Sequence, residues 1–306
     1  MTEPTQDTPD NPGEPDEPDG PPPSGKAAGW RDYTMTAEEG HTVVGTVMVL
    51  EGVESPQLGN RRDLLVYLPP SYARGDRRYP VIYMHDGQNL FDRATSFGEA
   101  WEVDQTLEDA SAAGLEAIVV AIPNMGEDRL NEYSPWPDPR HKQGGRGDDY
   151  ADFIVRTVKP IVDRDFRTRP ERESTGIAGS SMGGLISLYA FFRNPETFGF
   201  AGVMSAAFWF GNRAIYRWVD ERPFPGGRIY LDVGTNEGPD EVADVRRMKE
   251  RLEKKGYRTG HDLLFFVEMG GQHNERAWQR RLRRALHFLL AVPARDSTPP
   301  LQYSKL

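Results

Sequence analysis

The sequence predicts an α/β fold: a mostly parallel central sheet with helices on both faces, entered through antiparallel strands. Three observations carry that expectation. Six short apolar runs, at 80–84, 117–122, 174–178, 198–204, 228–233 and 263–267, are continuous rather than alternating, as strands buried on both faces are. Segments of helical period fall between them, which parallel strands need for their crossovers. Ahead of them lie the β-rich stretches 41–50 and 63–68, joined by a Gly/Pro/Asn-containing turn region, which favours an antiparallel start.

The helices show their period directly. Tyr150, Phe153, Ile154, Val158, Ile161 and Val162 recur at helical spacing, with Pro160 a kink near the end. Leu185, Leu188, Tyr189 and Phe192 fall at i, i+3, i+4 and i+7. Val242, Val245, Met248 and Leu252 form another stripe, stopped by Gly256. Trp278, Leu282, Ala285, Leu286 and Leu289 make the last amphipathic helix. The Pro- and Gly-rich stretch 135–147 is a long loop, and loops of that length are usually functional or mobile.

Composition bounds the function. Of 306 residues, 37% are hydrophobic, enough for one large core, and the formal charge is −10. Residues 1–30 hold seven acids against the single base Lys26, so the body is only mildly acidic. That balance argues against nucleic acid or an anionic membrane as partner. The arginines of the last helix (Arg276, Arg280, Arg281, Arg283 and Arg284) read as a solvated face. With no cysteine, disulfides, a thiol nucleophile and Cys-ligated metals are excluded. No H-E-x-x-H pattern is present, so no metal or cofactor is expected. Residues 1–29 are too polar to fold and read as a disordered acidic, Pro-rich tail. Residues 30–293 form the catalytic domain, and 294–306 a short C-terminal tail. Lacking a secretory signal pattern or an 18-residue apolar run, the protein is expected to be soluble and cytoplasmic.

The chemistry starts at Gly179-Ser180-Ser181-Met182-Gly183, a G-x-S-x-G pattern between an apolar strand and a helical stretch. That placement matches a nucleophile elbow, in which a tight strand-to-helix turn exposes a serine over a helix N-terminus. Ser181 is the expected nucleophile and the Met182 N–H the first oxyanion donor. In an α/β-hydrolase the acid and then the histidine follow at the ends of later strands. His41, His85 and His141 come too early, His261 precedes a strand, and His287 lies within the last helix. His273, just after 263–267, fits the topology. The turn after 228–233 offers Glu237 as the acid, with Asp240 and the in-strand Asp232 as alternatives and a Ser–His dyad as a further one.

The turn after 80–84 carries Gly87, and its next N–H, that of Gln88, is assigned as the second oxyanion donor, with Asn89 next. His85 and Asp86 are read as residues that fix this turn. Trp209, Tyr133 and Trp136 collect near strand exits as pocket walls. Arg129 and Glu132 could orient a polar substrate or pair with each other.

Together, 81–92, 178–184, 207–209, 232–237 and 270–273 resemble the esterase D-like α/β-hydrolases, over about residues 42–291. This resemblance implies the α/β-hydrolase fold. It implies Ser181 as nucleophile, His273 as base, Glu237 as acid, and Met182 and Gln88 N–H as the oxyanion hole. Relatives of that kind include siderophore trilactone, feruloyl and acetyl-carbohydrate esterases, and many place Asp where this chain has Glu237. The expected activity is hydrolysis of a small carboxylic ester through an acyl-enzyme. Acyl transfer to another alcohol, or a binding module on the same fold, are the alternatives.

Overall fold

The computed structural model describes residues 29–37 and 40–291. The tails expected at 1–29 and 294–306 lie outside the described residues, apart from Gly29. Among the described residues nine strands form one sheet: β1 (Arg31–Asp32), β2 (Thr46–Ser55), β3 (Asn60–Leu68), β4 (Val81–His85), β5 (Ile118–Ile122), β6 (Thr175–Ser180), β7 (Phe200–Met204), β8 (Arg228–Gly234) and β9 (Leu263–Glu268). Their spatial order is β1-β2-β3-β5-β4-β6-β7-β8-β9. The first three are antiparallel, β3 pairs antiparallel with β5, and β4 to β9 are parallel.

The strand expected at 41–50 starts later and runs further. Residues before it lend their backbone to side chains: Thr42 N–H donates to Asp92 and Val44 N–H to Asp104. A register shift between Leu50 and Val53 then lets β2 continue to Ser55.

Among the described residues eight α-helices cover the two faces: α1 (Val103–Ser111), α2 (Arg129–Glu132), α3 (Gly147–Phe153), α4 (Lys159–Asp165), α5 (Met182–Arg193), α6 (Ala214–Glu221), α7 (Glu241–Lys255) and α8 (Glu275–Leu290). Alternate strand residues feed the two cores. Val81, Tyr83, Val120 and Ile177 join α3 to α7 on one side, while Ile82, Met84, Val119 and Ala178 join α1 and α8 on the other. A π-helical turn, Ile154–Val158, connects α3 to α4. Pro160 has no N–H to return to the fourth residue before it, and the ladder widens just ahead of it. The expected kink is thus absorbed as a wide turn. Among the described residues no helix is long and apolar enough to cross a membrane.

One ion pair is sealed inside this frame. Arg62 and Glu132 have side chains 1% and 0% exposed and meet through two bonds of 2.7 and 2.8 Å. Asn60 also donates to Glu132, at 2.8 Å. Removing one partner strands a buried charge, so Arg62→Met should cost about 3 kcal/mol or more in urea denaturation. The double variant Arg62→Met/Glu132→Leu should recover most of that loss; a double variant no more stable than Arg62→Met would refute the account.

Candidate active site

The parallel strands end on one face, and the sequence-predicted residues sit there in sheet order. Gln88 follows β4, Ser181 follows β6, Glu237 follows β8 and His273 follows β9. Ser181 has φ 55° and ψ −123°, a conformation that L residues rarely adopt and that a strand-to-helix elbow demands. It is pinned by its own backbone: Ser181 N–H donates to Met204 O, and Ala207 N–H donates to Ser181 O, both at 3.0 Å. The elbow closes tightly because Gly179 has no side chain; a Cβ there would come within 2.8 Å of the His85 ring.

Among the described residues, the N–H groups of Met182, Gly183 and Gly184 donate to no protein atom. They crown a twelve-residue helix whose N-terminus favours negative charge. Across from them, the Gln88 N–H is likewise without a protein acceptor. Its turn lies hard against β5, since a Cβ on Gly87 would stand 2.7 Å from the backbone of Ala121 and Ile122. The Gln88 side chain accepts from Asn124 N–H and its carbonyl from Thr95.

His273 and Glu237 come together, with Nδ1 and Oε2 3.1 Å apart. The Glu237 side chain is fully buried and that of His273 34% exposed. Glu237 Oε1 accepts from Gly234 N–H at 2.6 Å, Ser205 Oγ at 2.7 Å and Arg281 Nη2 at 3.1 Å. Burial opposes its ionisation, yet the bonds from His273 and Ser205, with the charge of Arg281, hold the carboxyl below the ordinary glutamate range. An ionised carboxylate only accepts, so the shared proton belongs on His273 Nδ1 and Nε2 is left as an acceptor. Two loops are knitted beneath this pair: Thr235 N–H donates to Glu268 O, and Asn236 N–H to Gly271 O. Asn274 caps α8 by accepting from Ala277 N–H, and Trp278 meets the His273 ring edge-on at 5.1 Å. The Ser181 hydroxyl makes no hydrogen bond among the described residues, to His273 or to any other. Nucleophile–base bonds often tighten only when substrate is bound.

The turn-fixing residues behave as their positions imply. Asp86, left-handed at φ 54°, receives two bonds from Arg129, of 2.6 and 2.8 Å, and one from Asn124. Burial alone would raise its carboxyl, but Arg129 and Asn124 hold it below the usual aspartate range. Arg129 and Glu132 therefore do not pair with each other; each has a different partner.

Two cavities open on this face. One, of about 360 Å³, is lined by Trp209, Asn212, Arg213, Asp240 and Glu241 together with Asp138 and Arg140. The other, of about 400 Å³, adjoins Gln88 and is lined by Val49, Leu65, Pro123 and Met125 together with Arg61 and Asp63. In sheet order they lie on opposite sides of Ser181. Trp209 lines the first, but Tyr133 and Trp136 line neither. Tyr133 is fully buried, and its hydroxyl accepts from Asp86 N–H; Trp136 packs edge-on against Tyr189 and Trp218. Tyr133 is thus a support rather than a wall. The 135–147 loop is tied down, with Asp138 accepting from His141 and from Gly211 N–H.

Arg276, Arg280 and Arg283 are exposed as the reading of a solvated basic face expects, but Arg281 departs from it, its side chain being 1% exposed. The signal was present: position 281 follows Trp278 by three and precedes Ala285 by four, so it falls within the apolar stripe. Ser205, which donates to Glu237 and accepts from Trp278 and Arg281, had no sequence signature beyond following a strand.

This fold and face define an α/β-hydrolase-type protein. Residues 55–289 match the family described as "Putative esterase", and the chain belongs to that family. It is an esterase, a carboxylic ester hydrolase. Among its relatives is the uncharacterized protein YbbA of Bacillus subtilis, 30% identical over 243 residues that cover 76% of this chain and 93% of that one. The iron(III) salmochelin esterase of Escherichia coli O6:H1 is 27% identical over 68% of this chain, which spans 52% of that enzyme. Among solved structures, the BES protein of Bacillus cereus superposes with a TM-score of 0.65 over 84% of this chain and 99% of that one. At 21% identity that likeness carries the fold alone.

One buried group gives a direct check. Burial lowers the His85 imidazole to about 3, while its Nδ1 stays 2.9 Å from the Tyr150 hydroxyl. The unfolded chain, at about 6.5, takes up a proton that folded His85 refuses. Its contribution to stability is therefore complete above about pH 6.5 and is lost as pH falls towards about 3. NMR of the imidazole should show no titration of His85 between pH 5 and 8; a midpoint inside that range would contradict its burial as a neutral ring.

Proposed function

We propose that the esterase reaction runs through an acyl-enzyme on Ser181, with His273 as general base and Glu237 as the acid that orients it. The observation that carries this reading is the buried Glu237 carboxylate on His273 Nδ1, at the strand exits beyond a serine held at positive φ. In this mechanism Ser181 Oγ attacks the ester carbonyl as His273 Nε2 takes its proton. Glu237 stabilises the imidazolium without taking that proton itself. The carbonyl oxygen, as it gains charge, turns to the N–H groups of Met182 and Gln88, which have no protein acceptor to give up. His273 then protonates the departing alcohol, and water, deprotonated by the same nitrogen, releases the acid and restores Ser181.

Cavities on both sides of the elbow suit the acyl and alcohol halves of a small ester. The iron(III) salmochelin esterase among the relatives makes siderophore-type esters the first to screen, beside feruloyl and simple aliphatic ones. We place the reaction in the cytoplasm, which the cysteine-free composition fits.

Hydrolysis of p-nitrophenyl esters over a chain-length series tests the assignment. Ser181→Ala and His273→Ala should each lower kcat by roughly 10⁴-fold or more, and Glu237→Ala by about 10²- to 10⁴-fold. Full turnover by Ser181→Ala, or none by the unaltered protein, would defeat the mechanism. A near-normal Glu237→Ala would instead leave a Ser–His dyad. A burst of p-nitrophenol equal to the enzyme concentration is expected wherever deacylation is slow.

A further inference from the structure

Behind Glu237 lies a buried guanidinium that the hydrolytic mechanism does not name. Arg281 projects from α8 into the ends of β7, β8 and β9. Its Nη2 donates to Glu237 Oε1 at 3.1 Å and to Ser205 Oγ at 2.9 Å. On its other edges it meets Asp232 at 3.3 Å and Glu268 at 3.5 Å. Ser205 is fully buried and is itself aimed: its Oγ donates to Glu237 and accepts from Trp278 Nε1, while its N–H donates to the Asp232 carbonyl and carboxylate.

We infer that Arg281 is a positioning residue of the hydrolytic site: with Ser205 it pins one oxygen of Glu237, so that the other stays turned to His273 Nδ1. This inference rests on the triad reading above. A glutamate side chain has one more rotatable bond than aspartate and no orientation of its own. Three donors on Oε1, from three different segments, leave Oε2 a single direction.

The same guanidinium sets the charge of the site. Facing Glu237 and His273 are Asp232 from β8, Glu241 from α7 and Glu275 and Arg281 from α8, while Glu268 from β9 faces Arg281 and Tyr230 from β8 faces Asp232. Arg281 is the cation buried among these carboxylates. Burial raises the Asp232 carboxyl to about 6 even with Arg281 beside it. Without that cation every neighbouring group would bind a proton more readily. Whether the proton goes to Glu237 or to His273, the acid limb of the rate profile moves to higher pH.

The test measures kcat, KM and the pH dependence of kcat/KM with a p-nitrophenyl ester for Arg281→Met, Arg281→Lys and the double variant Arg281→Met/Asp232→Asn. Arg281→Met should lower kcat by roughly 100-fold with little change in KM, and move the acid limb up by about one pH unit. Arg281→Lys keeps the charge and should leave the limb near its normal place, with part of kcat restored. The double variant covers a failure of Arg281→Met to fold, because it removes the stranded carboxylate together with its partner. It should fold, yet still lose at least about tenfold in kcat, because Oε1 has lost its guanidinium donor. A double variant with normal kcat and pH profile would show that Arg281 only neutralises Asp232, and would overturn the inference. An inactive unaltered protein would sink the ester-hydrolase mechanism itself, and the inference with it.

Discussion

Glu237 buries an ionised carboxylate at the end of the sheet, and a charge in that position persists only where donors surround it. Those donors come from the residue after β7, from the end of β8, from α8 and from the loop ahead of α8. Each must be in place before the carboxylate is satisfied, so one side chain couples segments up to 44 residues apart in sequence. The backbone follows the same logic. Thr235 and Asn236 reach across to Glu268 and Gly271, so the loops bearing Glu237 and His273 form one body.

Much of this was legible in the sequence because burial on two faces leaves a simple signature. Strands such as 118–122 and 200–204 are apolar at every position, and their short length sets them apart from the longer helical stretches. The placement of Ser181 and His273 at strand exits was legible because chain order and strand-end order are linked in this topology. The carboxylate partner of His273 was harder to place. Asp232, Glu237 and Asp240 lie within one turn of each other, and only three dimensions separate them. Asp232 points inward to Arg281, Asp240 is exposed ahead of α7, and Glu237 alone touches His273.

The misreadings share a physical cause: polar atoms that pair across long sequence distances leave no local pattern. Arg281 was read by composition as part of a basic surface, although its spacing from Trp278 and Ala285 places it on the apolar stripe. Tyr133 was read as a pocket wall because it is aromatic and near a strand exit. Its burial follows from a partner 47 residues earlier, the Asp86 N–H. Residues 42–44 were read as strand by their β-rich composition, but the carboxylates of Asp92 and Asp104 claim two of their N–H groups.

Three non-glycine residues with positive φ stand at adjacent strand exits: Asp86 after β4, Ser181 after β6 and Ser205 after β7. Such a backbone costs about 1–3 kcal/mol per residue and persists only where its surroundings over-determine it. Each of the three has such surroundings. Asp86 is held by Arg129, Asn124 and Tyr133, Ser205 by Asp232, Trp278 and Arg281, and Ser181 by the carbonyl of Met204 and the N–H of Ala207. The strain falls where the chain must turn sharply to aim a donor or a nucleophile, and the buried polar bonds lie directly behind it. The ion pairs of Arg129 and Arg281 therefore brace the turns on either side of Ser181. That arrangement explains why a buried arginine, Arg281, and a half-buried one, Arg129, stand at the edge of a site whose own chemistry calls for neither.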